Sequence, residues 1–124
     1  LTLDSSQDAT FAGDVSVGGF FGFGAKSELT MDTSGDVTAT RSNHGIDTFE
    51  DASSDDLNNI NGGSDGDILI IRAQTGARTV VVKDSTGNLE LEGDFTMDSS
   101  QDNMMLINVG GSQWFELTRS NNGA

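Results

Sequence analysis

The chain has 124 residues, which fits one domain, and its 20 acidic against 6 basic residues give a formal net charge of −14. A charge of this sign disfavours the phosphate backbone of nucleic acid and anionic membrane surfaces as partners. The chain contains no cysteine, which excludes disulfides and thiol chemistry. No apolar run approaches the roughly 18–20 residues of a membrane-spanning helix. We therefore expect neither nucleic-acid binding nor membrane insertion.

The composition favours strands and turns over helices. Only 34% of the residues are hydrophobic, and the chain has 16 glycines and no proline beside many Ser, Thr, Asn and Asp residues. These polar residues and glycine are weak helix formers and good turn formers, so we predict an all-β protein. A chain this polar still folds if it buries apolar surface against copies of itself. The composition therefore also predicts a homo-oligomer.

A short pattern occurs three times, at residues 1–8, 29–36 and 95–102. Each copy has the sequence expected for a strand end, a turn rich in Asp and Ser, and the start of a new strand. The copies are unevenly spaced, which indicates a reused strand–turn–strand unit and not a regular solenoid. We expect the Asp side chains to cap these turns.

The N-terminal region alternates between apolar and polar residues. Phe11, Val15 and Val17 share one face of residues 9–17, which predicts a half-buried strand. Residues 18–24 combine four glycines with three phenylalanines, a composition that favours a hinge whose rings pack against neighbouring chains. We predict that residues 1–25 form an extended strand and Gly/Phe hinge, as a shaft or linker, and that residues 26–124 form a β-rich head.

The middle of the chain is acidic and polar. Residues 47–67 read as a long surface loop, with one helical turn at residues 55–60 because Leu57 and Ile60 are three residues apart. The apolar runs at residues 67–73 and 78–83 follow, and the short turn between them predicts a central hairpin.

The last third of the chain has the clearest strand signals. Residues 89–91 predict one strand, and residues 104–109 and 113–118 predict a C-terminal hairpin around Gly110 and Gly111. Short strands with frequent turns favour an antiparallel β-sandwich or an interleaved β-trimer, with a short N-terminal shaft or linker strand.

Four residues are candidates for ligand binding. Arg41, Asn43 and His44 open a polar segment, residues 41–67, that is long for a connection within a domain, and long polar loops often carry function. Trp114 could stack on a sugar, although packing in the core or at a subunit interface is favoured, with either Trp114 or Phe115 facing outward. We expect His44 to lie in a surface loop. No catalytic motif surrounds it, so we predict no catalytic residue and no enzyme activity.

The acidic turns raise the question of calcium. They lack the alternating acids and the closing Glu of an EF-hand loop, so we predict no metal site and no cofactor. The alternative is calcium at Asp65 and Asp67 together with Asp55 or Asp56.

Part of the chain resembles the C-terminal β-rich module of tailed-bacteriophage tail fibres and minor virion structural proteins. The resemblance is carried by residues 55–70, 78–84, 93–98, 105–107 and 114–122. Residues 10–19 separately resemble the shaft-like strand repeats that precede such heads. The resemblance implies a homotrimer on a fibre axis, a location in the virion, other virion proteins as partners, and no catalytic motif.

We therefore expect a phage virion structural protein, a fibre or tail-fibre head module that contributes to host-surface attachment by contacting a glycan or a protein. The alternatives are a purely architectural capsid or tail decoration protein and a bacterial extracellular adhesin module. The chain begins with Leu1 and not Met, so we expect it to be a piece of a longer polypeptide.

Overall fold

The computed structural model describes residues 2–6 and 8–123, so Leu1, Gln7 and Ala124 lie outside the described residues. Two of these, Leu1 and Gln7, belong to the first copy of the repeated pattern. Within the described ranges the chain is nearly all β, with one short 3-10 helix at Phe49–Asp51, and the predicted all-β class is confirmed. The strands are β1 (Thr2–Leu3), β2 (Ala9–Thr10), β3 (Ser27–Thr30), β4 (Asp36–Thr38), β5 (Asn43–Asp47), β6 (Ser54–Leu57), β7 (Asn59–Asn61), β8 (Ile68–Ala73), β9 (Thr79–Val82), β10 (Leu89–Glu90), β11 (Phe95–Met97), β12 (Asn103–Val109) and β13 (Gln113–Ser120).

The main body is a coil in which successive turns of the chain stack on one another. The first turn contains β3 and β4, the second contains β5 to β7, and the third contains β8 to β10. Strands in neighbouring turns pair in parallel, so β3 pairs with β5, β5 with β8, β4 with β7 and β6 with β9. Parallel pairing follows because each turn carries the chain around the body in the same direction.

The last three strands, β11 to β13, close the third turn of the coil. β11 lies antiparallel to β9, and β12 lies antiparallel to β8. β13 then returns antiparallel to β12 and pairs in parallel with β10. The result is a six-stranded sheet in the order β10-β13-β12-β8-β5-β3 and a three-stranded sheet in the order β11-β9-β6.

The C-terminal hairpin is confirmed, since β12 and β13 pair across Gly110 and Gly111, whose φ angles are +70° and +79°. Glycine adopts positive φ without strain, which suits this turn.

The predicted hairpin across residues 67–83 is wrong. Both apolar runs are strands, but β8 lies between β12 and β5, whereas β9 lies between β11 and β6 in another sheet. The connection at residues 74–78 takes the chain around a corner of the coil and does not reverse it. The sheets therefore mix parallel and antiparallel pairs, which an apolar run alone does not reveal, because periodicity reports burial and not the pairing partner.

The predicted helical turn at residues 55–60 is also wrong. These residues form β6 and β7, separated by Asn58, and both Leu57 and Ile60 are buried. The bend at Asn58 lets two apolar residues three positions apart point into the same core, which imitates helical spacing.

The N-terminal region differs from the predicted strand. β1 and β2 pair antiparallel, and within residues 8–123 no strand lies between Thr10 and Ser27. We call residues 11–24 the N-terminal arm. Its side chains at Phe11, Val15 and Val17 are exposed and not half-buried. The division into a linker at 1–25 and a head at 26–124 stays a prediction.

The core lies inside the coil and beneath β11 to β13. Its buried apolar residues are Met31, Val37, Ile46, Leu57, Ile60, Leu69, Ile71, Ala73, Val80, Val82, Leu89, Phe95, Met97, Met104, Leu106 and Trp114. Burial alternates along β8, so Leu69 and Ile71 face the core while Ile68 and Ile70 are only partly covered on the other face.

The repeated Asp-rich turns are capped by their own carboxylates, as predicted. Asp4 Oδ1 accepts hydrogen bonds from the N–H groups of Ser6 and Asp8 at 2.8 and 3.0 Å. Asp32 Oδ1 accepts from residues 34 and 36 at the same two distances. The third copy differs, because Asp102 and not Asp98 supplies the oxygens.

Asp102 is fully buried and holds the C-terminal tail against the last turn. Its Oδ2 accepts from the N–H groups of Asp98 and Ser99 at 3.1 and 3.0 Å. Its Oδ1 accepts from those of Asn122 and Gly123 at 2.8 and 3.0 Å. Burial alone would raise the pKa of Asp102, but the four backbone hydrogen bonds outweigh it and hold the pKa below the ordinary Asp value.

We predict that Asp102→Asn lowers the free energy of unfolding at pH 7 by on the order of 2 kcal/mol, because an amide cannot accept all four hydrogen bonds. The folded-state pKa is lowered, so the carboxylate stabilises the fold fully above pH about 4, the ordinary Asp value, and this contribution is lost as pH falls through the folded-state pKa. Urea unfolding at pH 7 and at pH 3 should show the gap between the two proteins shrinking in acid. Asp98→Asn, at an exposed position of the same turn, is the control, and equal stability of the two variants at pH 7 would contradict the assignment.

Candidate functional site

One cleft brings together several of the predicted site residues. It has a volume of about 190 Å³ and opens where the second and third turns meet β13. Its lining comes from four parts of the chain and consists of Ala39, Thr40, Arg41, Ser42, Gly63, Asp67, Ile68 and Trp114. The cleft thus unites Arg41 and Trp114, predicted for ligand binding, with Asp67, a predicted metal candidate.

Trp114 forms part of the inner wall of the cleft. Trp114 is only 2% exposed, and its Nε1 donates to the carbonyl oxygen of Ile60 at 3.0 Å, so the predicted core packing is confirmed. Its neighbour Phe115 is 39% exposed on the other side of the strand, as alternation predicts. Gly63 has φ +85°, and a Cβ there would lie 2.7 Å from the Trp114 Cζ2 atom. Glycine is therefore required where the chain passes the ring.

The rim of the cleft is polar and carries both signs of charge. Arg41 and Asp67 are exposed, and Asp67 Oδ2 accepts from the Ser64 N–H at 2.8 Å. The hydroxyl-bearing residues Thr40 and Ser42 complete the rim. A guanidinium, a carboxylate and hydroxyls around an aromatic edge can hydrogen-bond a small polyhydroxylated ligand.

The prediction that His44 lies in a surface loop is wrong. His44 sits in β5 with its side chain fully buried. Its Nδ1 lies 2.9 Å from the carbonyl oxygen of Ser27 and donates to it. Its Nε2 accepts from the N–H groups of Thr40 and Arg41 at 3.1 and 3.3 Å. The ring shapes the backbone beneath the cleft and has no nitrogen left for a ligand.

Asn43 is half-buried and holds the end of the N-terminal arm. Its Nδ2 donates to the carbonyl oxygen of Gly24 at 2.9 Å, and its Oδ1 is buried without a hydrogen-bond partner among the described residues. The interpretation of residues 41–67 as one exposed loop is wrong, because β5, β6 and β7 all lie within it. Of the predicted trio, only Arg41 is presented to solvent at the cleft.

The candidate metal ligands accept hydrogen bonds from backbone N–H groups. Asp55 accepts from the N–H groups of Phe49 and Asp56 at 3.1 and 2.9 Å. Asp65 Oδ1 accepts from the N–H of Gly110 at 2.8 Å. Throughout residues 2–6 and 8–123, no three carboxylate or imidazole side chains are grouped so that they could hold a metal ion. The structure therefore does not unite Asp55 with Asp65 and Asp67.

Sequence reasoning missed an apolar surface on the outside of the six-stranded sheet. We call it the outer sheet face, and its residues are Ile68, Ile70, Met105, Ile107, Val109, Phe115 and Leu117. Strand register makes it continuous, since Ile70 is opposite Met105, and Ile107 lies between Ile68 and Phe115. Leu117 is 52% exposed. The only sequence signal for this face was that the apolar run in β8 is unbroken.

No protein-family model, no curated protein and no solved structure matches this chain. Among the residues that the structure describes, no helix is long and apolar enough to cross a membrane. The cleft and the outer sheet face are two surfaces through which the chain could contact a ligand or a partner.

We predict that His44→Ala lowers the free energy of unfolding by about 2–4 kcal/mol, because it leaves a cavity and removes the partners of three backbone groups. Arg41→Ala, at the exposed rim beside it, should change stability by no more than about 0.5 kcal/mol. Urea unfolding of both variants measures the difference. If the two variants are equally stable, the ring of His44 does not hold this part of the fold.

Proposed function

We propose that the chain is a non-catalytic structural module of an oligomeric surface assembly, and that the assembly is a phage fibre or tail. The outer sheet face is the observation that carries this proposal. Contiguous apolar surface that solvent reaches marks an interaction site, and here partly exposed and exposed apolar side chains continue across three neighbouring strands. The virion setting is supported by the sequence resemblance to tail-fibre and minor virion proteins, which residues 55–70, 78–84, 93–98, 105–107 and 114–122 carry.

Self-association is the arrangement that this face fits best. Every copy carries the same face, so a closed symmetric assembly can bury it on all subunits. The chain has a net charge of −14, and an apolar contact lets like-charged copies meet without placing carboxylates against each other. A homotrimer on a fibre axis is the form that the resemblance implies.

Attachment to a host surface is the second part of the proposal, and the cleft supports it. Its rim presents Arg41, Asp67 and hydroxyl groups around the edge of Trp114. This chemistry suits a neutral glycan, whose hydroxyls both donate and accept hydrogen bonds. The cleft is independent of the outer sheet face, except that Ile68 borders both.

A purely architectural role, as a capsid or tail decoration protein, is the competing function. The burial of Trp114 supports it, since the residue is only 2% exposed and sugar stacking needs an accessible ring face. A bacterial extracellular adhesin would use the same assembly surface and the same cleft.

We predict that the purified protein sediments with a mass near three times 13.0 kDa at micromolar concentration and physiological salt. The apolar face drives association, and salt at this level screens repulsion between acidic subunits. Sedimentation equilibrium measures the mass directly. A well-folded monomer under these conditions would contradict the assembly role.

We predict that the protein binds at least one bacterial surface glycan on an array, and that Arg41→Ala with Asp67→Asn weakens this binding at least about tenfold. The Asn side chain at position 67 can still accept the hydrogen bond from Ser64, so the mass of the oligomer and the free energy of unfolding should not change. Glu90→Gln, at an exposed position outside the cleft lining, is the matched control. Absence of any glycan binding would favour the decoration role.

A further inference from the structure

We propose that the N-terminal arm of one copy packs on the outer sheet face of a second copy. This inference rests on the proposed self-association and states which surfaces meet. The two surfaces lie on the same chain; in the single chain the apolar side chains of the arm are exposed, except for Phe23, and the outer sheet face is only partly covered.

The N-terminal arm carries large apolar side chains that make little contact with the body. Phe20 is fully exposed and Phe21 is 69% exposed, and Phe11, Val15 and Val17 are exposed as well. Val15, Val17 and Phe21 line one open apolar depression, and the Phe21 and Phe23 rings meet edge to face at 5.3 Å. The arm therefore presents a preformed apolar side. Exposed rings of this size are stabilised when another surface buries them.

The arm is the part of the chain best able to approach an acidic neighbour. Between residues 9 and 24 the only charged side chain is Asp14, in a chain whose net charge is −14. An almost uncharged segment can lie against another copy with little electrostatic repulsion. The outer sheet face is the matching surface, because its apolar residues are uncharged and Arg72, which continues the same side of β8, is basic and does not repel an acidic chain.

The arm leaves the body at a defined place. Asn43 holds the carbonyl oxygen of Gly24, and the Lys26 Nζ donates to the carbonyl oxygen of Gln74 at 3.2 Å. These contacts fix the chain at β3, the end strand of the six-stranded sheet. The 14 residues of the arm reach at most about 45–50 Å when extended. Six strands at a spacing of about 4.8 Å span only about 24 Å, so the arm is long enough to cross the sheet of a neighbour.

A double-mutant cycle tests whether the arm contacts the face. The arm variant is Phe20→Ser with Phe21→Ser, and the face variant is Phe115→Ser with Leu117→Ser. The four side chains are between 39% and 103% exposed in the single chain and lie outside the core, so circular dichroism under monomeric conditions should show both variants folded. The association constant is measured by sedimentation equilibrium. Val81→Ser, a change of the same kind on the partly covered face of β9, is the matched control.

We expect each variant to weaken association at least about tenfold, and the combined variant to be no weaker than the more damaging of the two. Residues that contact each other show this non-additivity, because the first change already removes the contact. Val81→Ser should leave association within about twofold of the unchanged chain.

Other outcomes overturn the inference in distinguishable ways. Additive losses would mean that the arm and the face each contact something else. An effect of the face variant alone would mean that copies associate without the arm, and the proposed function would stand while this inference fails. A chain that does not self-associate at all would overturn both.

A cross-linking experiment gives an independent readout, because the chain contains no cysteine. Phe21→Cys protein and differently tagged Leu117→Cys protein are mixed under mild oxidation, and a mixed disulfide requires the arm of one copy to reach the face of another. We expect the mixed species with Leu117→Cys and none with Val81→Cys. Equal yields from both partners would contradict the placement of the arm.

Discussion

The fold depends on hydrogen bonding between successive turns of the chain. Two strands of the second turn, β5 and β6, pair with strands of the third turn, so that Ile46 lies beside Ala73 and Leu57 beside Val82. All four of these side chains are buried, because parallel pairing in register stacks like positions on the same side of the sheet. β7 does not pair with a strand of the third turn. The side chain of Asn88 takes the place of such a strand, because it accepts a hydrogen bond from the Ile60 N–H at 2.9 Å and donates one to the Ile60 carbonyl oxygen at 2.7 Å.

A stacked coil has two ends, and this chain treats them differently. The C-terminal end is closed, since β11 and β12 cap β9 and β8, and the buried Asp102 fastens the tail. At the other end β3 is the last strand of its sheet, and the N-terminal arm ends just before it. Sheet ends that are not covered invite pairing with other chains. The arm therefore joins the sheet at its β3 edge, whereas the outer sheet face lies on β8, β12 and β13 of the same sheet.

The sequence predicts strands well and their partners poorly. The apolar runs that became β8, β9, β12 and β13 were found from local pattern, and so was the glycine turn between the last two, because these signals lie within a few neighbouring residues. The pairing of β5 with β8 joins residues far apart in sequence, so no short stretch of sequence predicts it. His44 is a second example of a residue whose surroundings the local sequence does not predict. Its position in a polar stretch suggests a loop, whereas in the fold its ring is buried and hydrogen-bonds the Ser27 carbonyl oxygen and two backbone N–H groups. Arg41, Asp67 and Trp114 could each be nominated, but only the coil shows that they line one cleft.

The fold of the single chain explains only half of the apolar run in β8. A strand with one face in the core and one in water reads as alternating apolar and polar residues, whereas β8 keeps isoleucine on both faces. Leu69 and Ile71 account for the inner half of that pattern. The outer half, Ile68 and Ile70, continues onto Met105 and Ile107 of β12 and so forms a surface, not an isolated exposed residue. Burial of a side chain of this size is worth about 1.5–3 kcal/mol, and the partly covered outer residues realise only part of this contribution in the single chain. The unbroken run would be explained if copies of the chain assembled so that both faces of this sheet were buried.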